Sequence, residues 1–189
     1  MIRHADCTVR NSFSQYWEDQ VLLPTLLQAA GGQPGAFVEL GAFTGIALSN
    51  TLLLERCFGW RGLLIEANPS NYASLVRANR TATTRHSAVC SPRGMLNVTV
   101  SGHAVSGSPV TMASSFLERW SRRNRPEQQV AVPCQPLASL MDEAGLRTAS
   151  FLSLDVEGAE AMVLQAADLT RFLVISMRAI TLKPLLRYC

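Results

Sequence analysis

The stretch FVELGAFTGIALSN, residues 37–50, runs an apolar strand into a glycine turn and on toward the apolar positions of a helix. Gly41 and Gly45 stand at the junction, and Glu39 comes just before them. Glycine has no Cβ and tolerates positive φ, so a turn of this kind at the carboxyl end of a strand lets a ligand approach the backbone closely. The stretch is a candidate cofactor seat, and the rest of the chain can be read outward from it.

Upstream, SQYWEDQVLLPTLLQAAGG (residues 14–32) places Trp17, Val21, Leu22, Leu26 and Leu27 at helical spacing and stops at a glycine pair. Pro24 marks a kink or a break into two short helices. Downstream, IALSNTLLLERCF (residues 46–58) reads as a helix, with Ile46, Leu48, Leu52 and Leu53 on its apolar face. GWRGLLIEANPSNYASLVRAN then gives a strand over residues 62–66, a turn at Asn68-Pro69 and a helix from Ser70. Strand, helix, strand, helix in close succession is the pattern of a parallel α/β sheet. A third strand is expected near residues 86–90, and LNVTVSG offers a short alternating one. Residues 102–115, rich in Gly, Ser, Thr and Pro, carry no period and read as a loop long enough to be functional. FLERWSRRNR suggests a short helix, QVAVPCQ a strand, and PLASLMDEAG a helix with proline in its first turn and glycine past its end. ASFLSLDVEGAEAMVLQAA reads as strand, acidic turn and helix, and RFLVISM as a last strand.

With 189 residues and 48% hydrophobic content, the chain suits a single domain over residues 1–189. Its net charge of +3 is scattered except for Arg119, Arg122, Arg123 and Arg125, which read as a solvated helix face, so no nucleic-acid partner is expected. Five dispersed cysteines, odd in number and without a CxxC pair, suggest reduced thiols and neither a disulfide framework nor a zinc site. No stretch reaches the ~18 apolar residues of a membrane span, and no apolar signal region opens the sequence. A cytoplasmic location is the expectation, leaving aside any targeting signal in a longer parent protein. Asn79-Arg80-Thr81 and Asn97-Val98-Thr99 match the glycosylation sequon. Such matches arise by chance, and nothing else in the sequence suggests secretion.

The glycine turn excludes two familiar ligands. A P-loop needs a lysine after its second glycine, and none follows Gly45. The dinucleotide fingerprint needs GxGxxG, whereas the spacing here is GxxxG with Phe43 where the second glycine would stand. A nucleoside ligand without a pyrophosphate remains, with S-adenosylmethionine the leading candidate. Glu66, closing the second strand, suits a ribose diol because a carboxylate is acceptor-only and can take both hydroxyl protons. Glu39, at the end of the first strand, is expected to face the same crevice and meet the amino end of the ligand.

SQYWEDQVLL, FVELGAFTGIALSNTLLLE, GWRGLLIEANPSNYASLVRANR and FLSLDVEGAEAMVLQ, in that order, resemble the FkbM-type S-adenosylmethionine-dependent methyltransferases. The resemblance runs over residues 14–165, and its most specific parts are GAFTG with the following SNT, IEANP, and DVEGAE. It implies an α/β, Rossmann-like class I methyltransferase fold: a mainly parallel sheet with helices on both faces. It also implies methyl transfer to a hydroxyl oxygen of a small molecule or glycan. By position, Glu39, Gly41, Ala42 and Gly45 would form the methionine side of the cofactor site. Ser49 and Asn50 would follow on the first helix, Glu66 and Ala67 would hold the ribose and adenine edge, and Ser87 and Ala88 would lie beside the adenine. Gln15 and Asp19 match an N-terminal segment that would cover the site.

Methyl transfer to a hydroxyl needs alignment and a base within reach of the proton. Asp155, at the end of FLSLD, is the first candidate, with a helix N-cap as its alternative role. His103 is a weaker candidate base, and His86 is better placed in a strand. Glu157 and Glu160 suit the first turn of a helix, where negative charge complements the dipole. Asp155 with Glu157 makes too thin a ligand set for a metal, so none is expected. Phe43 would line the pocket mouth, while Trp17 and Tyr72 read as packing residues. The chain is expected to stop short of the C-terminal edge hairpin of such enzymes, since residues 178–189 follow only a fifth strand. That leaves open a second reading, a shortened methyltransferase-like domain that acts by binding.

Overall fold

A computed structural model describes residues 2–101, 104–107, 128–156 and 159–177. The chain opens with helices α1 (Ile2–Asn11) and α2 (Glu18–Ala29). Strand β1 (Ala36–Leu40), α3 (Leu52–Phe58), β2 (Arg61–Glu66), α4 (Pro69–Arg77) and β3 (Thr83–His86) follow. Next come β4 (Ala88–Val89), β5 (Gly94–Ser101), β6 (Ala104–Gly107) and β7 (Gln128–Gln135). Last are α5 (Leu137–Glu143), β8 (Ala149–Leu154), α6 (Glu160–Ala166), a 3-10 turn (Leu169–Arg171) and β9 (Phe172–Met177).

Five strands form one parallel sheet in the order β3-β2-β1-β8-β9. Its inner strands read as continuous apolar runs because both faces are covered. On one face Leu26 of α2, Leu53 and Leu54 of α3 and Leu75 of α4 pack on Phe37, Leu64 and Phe151. On the other, Leu137, Leu140 and Met141 of α5 and Val163 of α6 pack on Val38, Leu63, Ile65 and Leu152. Strand order reverses between β1 and β8, and in such sheets ligands bind at the carboxyl ends beside the reversal. The Rossmann-like α/β expectation is therefore met. The edge hairpin concerns residues after 177, outside those described.

A second sheet, β4-β7-β5-β6, packs Val98, Val100 and Val132 against Ala67 and Ala88, next to the carboxyl end of β2. It corrects the expected strand at residues 86–90: β3 ends at His86 in the large sheet, and residues 88–89 join the small one. Within the loop expected at 102–115, residues 104–107 instead pair with β5, and the rest of that segment lies outside the described residues. Pro24 does not split α2; the helix runs through it, held by Leu22, Leu23 and Leu26 against the sheet. Trp17 is exposed rather than packed, and it is left-handed (φ 65°) where the chain turns into α2.

The largest correction concerns the cysteines. Cys7 of α1 is bonded to Cys57 of α3, and Cys90 to Cys134 of β7, across 50 and 44 residues of chain. Spacing could not show this, because each pair meets only once the fold brings distant segments together. The helix expected at residues 116–125, its arginines, Glu157 and His103 lie outside the described residues. Among the described residues, no helix is long and apolar enough to cross a membrane.

Candidate functional site

The carboxyl edge of the large sheet carries Glu39 in β1, Glu66 at the end of β2 and Asp155 just after β8. The turn after β1 is tied to its neighbours by backbone bonds. Gly41 and Ala42 both donate to the Ile65 carbonyl at 3.0 Å, and the Asp155 N–H donates to the Leu40 carbonyl at 3.0 Å. Gly41 has φ +82°, and a Cβ there would strike the backbone carbonyl of Asp155, so the position demands glycine.

Glu66 is 4% exposed. It accepts the Phe43 N–H at Oε2 and the Asn68 N–H at Oε1, both at 2.8 Å. The acid expected at the second strand end is thus bonded directly to the glycine turn. Burial pushes its carboxyl up from 4.5 to about 7, against the lowering effect of bonds from Asn68, Phe43, Asn71 and Ala67. Between those two values the folded chain holds a proton that the unfolded chain releases. The contribution to stability is therefore full below about pH 4.5 and is lost as pH rises through about 7. The acceptor-only form, which a diol needs, grows over the same range. Denaturant unfolding from about pH 5 to about pH 8 is expected to show stability falling with pH, with a shallower slope in Glu66→Gln.

Glu39, 3% exposed, is engaged by its own loop. Its Oε2 accepts the Ser49 and Thr51 hydroxyls at 2.9 and 2.6 Å, and its Oε1 accepts the Asn50 N–H at 2.7 Å. These bonds explain why the expected helix at residues 46–58 starts only at Leu52. Glu39 captures donors that a helix would direct along its axis, and Leu48 is left-handed at φ 62°. Ser49 and Asn50 consequently precede the helix instead of lying on it. Burial raises the Glu39 carboxyl, and the nearby Arg80 charge is the main factor opposing that rise.

Sequence reasoning missed Arg80. Its guanidinium is fully buried and reaches Glu55 at 2.9 Å, the Gly45 carbonyl at 2.6 Å, Ser49 at 3.2 Å and Thr51 at 3.1 Å. It also lies over the Phe37 ring, 5.9 Å from the centroid. One side chain from beyond α4 thereby fixes the loop that follows the glycine turn. The only signal in the sequence was an arginine amid the boundary residues of two apolar elements.

Asn50 bridges to the neighbouring strand, donating from Nδ2 to Ser153 Oγ at 2.9 Å, while its buried Oδ1 has no protein partner. It lines a cavity of about 120 Å³ with Gln15, Glu18, Leu48, Ser153, Asp155, Ser176 and Met177. Gln15 and Asp155, far apart in sequence, therefore meet at the crevice. Asp19 does not line it; its Oδ1 accepts the Ser12 and Ser14 hydroxyls at 2.8 and 2.6 Å and so fixes the segment that carries Gln15. Asp155 is not the cap of α6, whose N-cap is Ala159. Instead Glu160 reaches back to accept the Val156 N–H at 3.2 Å, closing the acidic turn.

On the far side of Glu66, the Ser87 N–H donates to the Glu66 carbonyl at 3.2 Å, but the Ser87 hydroxyl is turned toward the Ala88 and Pro133 carbonyls. Ala67 and Ala88 sit against the small sheet. His86 bonds the Ala67 carbonyl at 3.0 Å and stacks on Tyr72 with centroids 5.0 Å apart, an aromatic pair next to the residue after Glu66. A larger cavity, about 430 Å³, lies at the amino ends of the strands around Gly35, Arg61 and Thr148. It is remote from the turn and the three acids, so the smaller crevice is the better candidate. Among the described residues, no three His, Cys, Asp or Glu side chains are grouped to hold a metal.

Comparison with protein families finds a match to the Methyltransferase FkbM domain over residues 39–182, more than half of the chain. It begins at Glu39 and takes in Glu66, Arg80 and Asp155. No curated protein and no solved structure matches the chain.

Proposed function

The chain belongs to the FkbM methyltransferase family, and from that premise we propose that it is an S-adenosylmethionine-dependent O-methyltransferase acting on a hydroxyl of a small molecule or glycan. The observation that carries this reading is Glu66, a buried carboxylate bonded to the N–H of Phe43 within the glycine turn. Three features fit the cofactor. Gly41 lets the turn pass close against the Asp155 backbone, so the turn and Asp155 stand side by side at the sheet edge. Glu66 places an acceptor-only carboxylate at the strand end, the type of group a ribose diol requires. The orphaned Oδ1 of Asn50 offers an acceptor at the crevice.

In this reading Glu66 and Ala67 hold the ribose and adenine edge, with Tyr72 and His86 behind them. Gly41, Ala42 and Gly45 shape the seat of the amino-acid end, and Glu39 with Ser49 keeps that loop in place. When bound, the cofactor supplies an electrophilic methyl on a sulfonium. Asp155 takes the proton from the acceptor hydroxyl at a carboxylate oxygen, and Gln15, Asn50 and Ser153 orient that hydroxyl. The mostly polar lining of the crevice suits an aliphatic alcohol or sugar better than a flat aromatic ring.

The first test is calorimetric titration with S-adenosylhomocysteine, using NAD as the control. Saturable binding of the first alone is expected, and a folded sample that binds neither would overturn the proposal. Asp155→Asn should then lower kcat by about 10²- to 10⁴-fold on any alcohol found to be methylated. Its affinity for S-adenosylhomocysteine should stay at the wild-type value; a parallel loss would place Asp155 in cofactor binding instead.

A further inference from the structure

Two motifs noted in the sequence have no place in methyl transfer: the sequons at Asn79 and Asn97. Nothing else in the sequence points to secretion, but the two disulfides of the fold do. Cytosolic thiols are kept reduced, whereas structural disulfides persist in oxidising compartments. Neither bond is a CxxC pair of the redox-active kind. Cys7–Cys57 staples α1 to the end of α3, and Cys90–Cys134 ties the end of β4 to β7. Both pairs link segments distant in sequence, as framework disulfides do.

The fold presents one sequon well. Asn79 follows α4 in a left-handed turn (φ 51°), and both Asn79 and Thr81 are exposed. Between them Arg80 turns inward with its side chain wholly buried, so the two residues that define the sequon face outward together. The Thr81 N–H donates to Glu55 at 2.8 Å, which fixes the tripeptide by its backbone and leaves both side chains outside. The second sequon differs. Asn97 is exposed on β5, but Thr99 is buried and its hydroxyl accepts a bond from Gln129 at 2.8 Å. The turn holding Asn79 leads into the amino end of β3, whereas Glu66 stands at the carboxyl end of β2, so a bulky group at Asn79 leaves the crevice open.

We propose that this domain matures in an oxidising compartment and carries an N-linked glycan on Asn79. In the first step, each cysteine pair loses two electrons and two protons to a disulfide-bearing oxidant of that compartment. In the second, the Asn79 amide nitrogen bonds to the anomeric carbon of a lipid-diphosphate oligosaccharide. The lipid diphosphate leaves with the electrons of the broken C–O bond, and the amide proton passes to a base.

Peptide mapping of the chain from its native cells tests both parts. Without reductant, the Cys7 peptide should travel with the Cys57 peptide, and the Cys90 peptide with the Cys134 peptide. Alkylation of all four thiols in that sample would overturn the compartment assignment. After glycosidase treatment in heavy-oxygen water, residue 79 should appear as heavy-labelled aspartate; unmodified asparagine throughout would overturn the glycan. Because Asn79→Gln alters a left-handed position, Thr81→Ala and Thr81→Ser are the better variants. The alanine variant should lose the glycan and the serine variant should keep it, and an identical glycan in both would overturn the sequon reading.

Discussion

Glu66→Ala is expected to weaken S-adenosylhomocysteine binding by about 1.5–3 kcal/mol, roughly 10- to 150-fold in Kd. The loss follows from removing a charged acceptor from a buried position where water cannot replace it. Alanine also strands the Phe43 and Asn68 N–H groups, so weaker binding alone does not prove a ribose contact. An analogue lacking both ribose hydroxyls separates the two effects. Wild-type protein should discriminate strongly against it, and Glu66→Ala should hardly discriminate at all. Equal discrimination by both proteins would remove Glu66 from ribose recognition while leaving it a role in holding the turn. Glu66→Gln should fall between them, since its amide keeps one acceptor oxygen.

How much of this was legible in the sequence depends on how far each interaction reaches. Strands β1, β2 and β8 are apolar runs buried on both faces and β9 is an apolar run at the sheet edge, so composition alone marks them, and their order with the intervening helices implies a parallel sheet. Gly41 and Glu66 were legible because turn chemistry and strand-end position are local. The interruption of the helix before Leu52 was not, because it depends on a carboxylate twelve residues before Thr51 drawing in that hydroxyl. The division of residues 83–89 between two sheets depends on β7, more than forty residues onward. The disulfides are the extreme case, joining residues that share no pattern until the fold is formed. Arg80 belongs with them: nothing in its neighbours says that its side chain crosses beneath the loop around Gly45.

That crossing makes Arg80→Met the most damaging single change expected here. Removing one partner of a buried ion pair costs about 3–5 kcal/mol, a large share of the roughly 5–15 kcal/mol that holds a domain together. Glu55 would keep only its bond from the Thr81 N–H. Glu39 would lose the charge that opposes its burial, so its carboxyl would rise further. A raised carboxyl withdraws stability as pH increases, and the variant's deficit in denaturant unfolding should therefore widen toward alkaline pH. Arg80→Lys should recover little, because an ammonium cannot reproduce the planar fork that serves Glu55, Gly45 and Thr51 at once. Adding Glu55→Leu to Arg80→Met removes the stranded charge and should restore part of the stability. It cannot restore the bonds to the Gly45 carbonyl, Ser49 and Thr51, so the double variant should fold better than the single one yet still bind S-adenosylhomocysteine poorly. Wild-type affinity in the double variant would mean that Arg80 serves the fold alone. Weak affinity in a restored fold would make the buried arginine a positioning residue, acting on the cofactor through the loop it anchors.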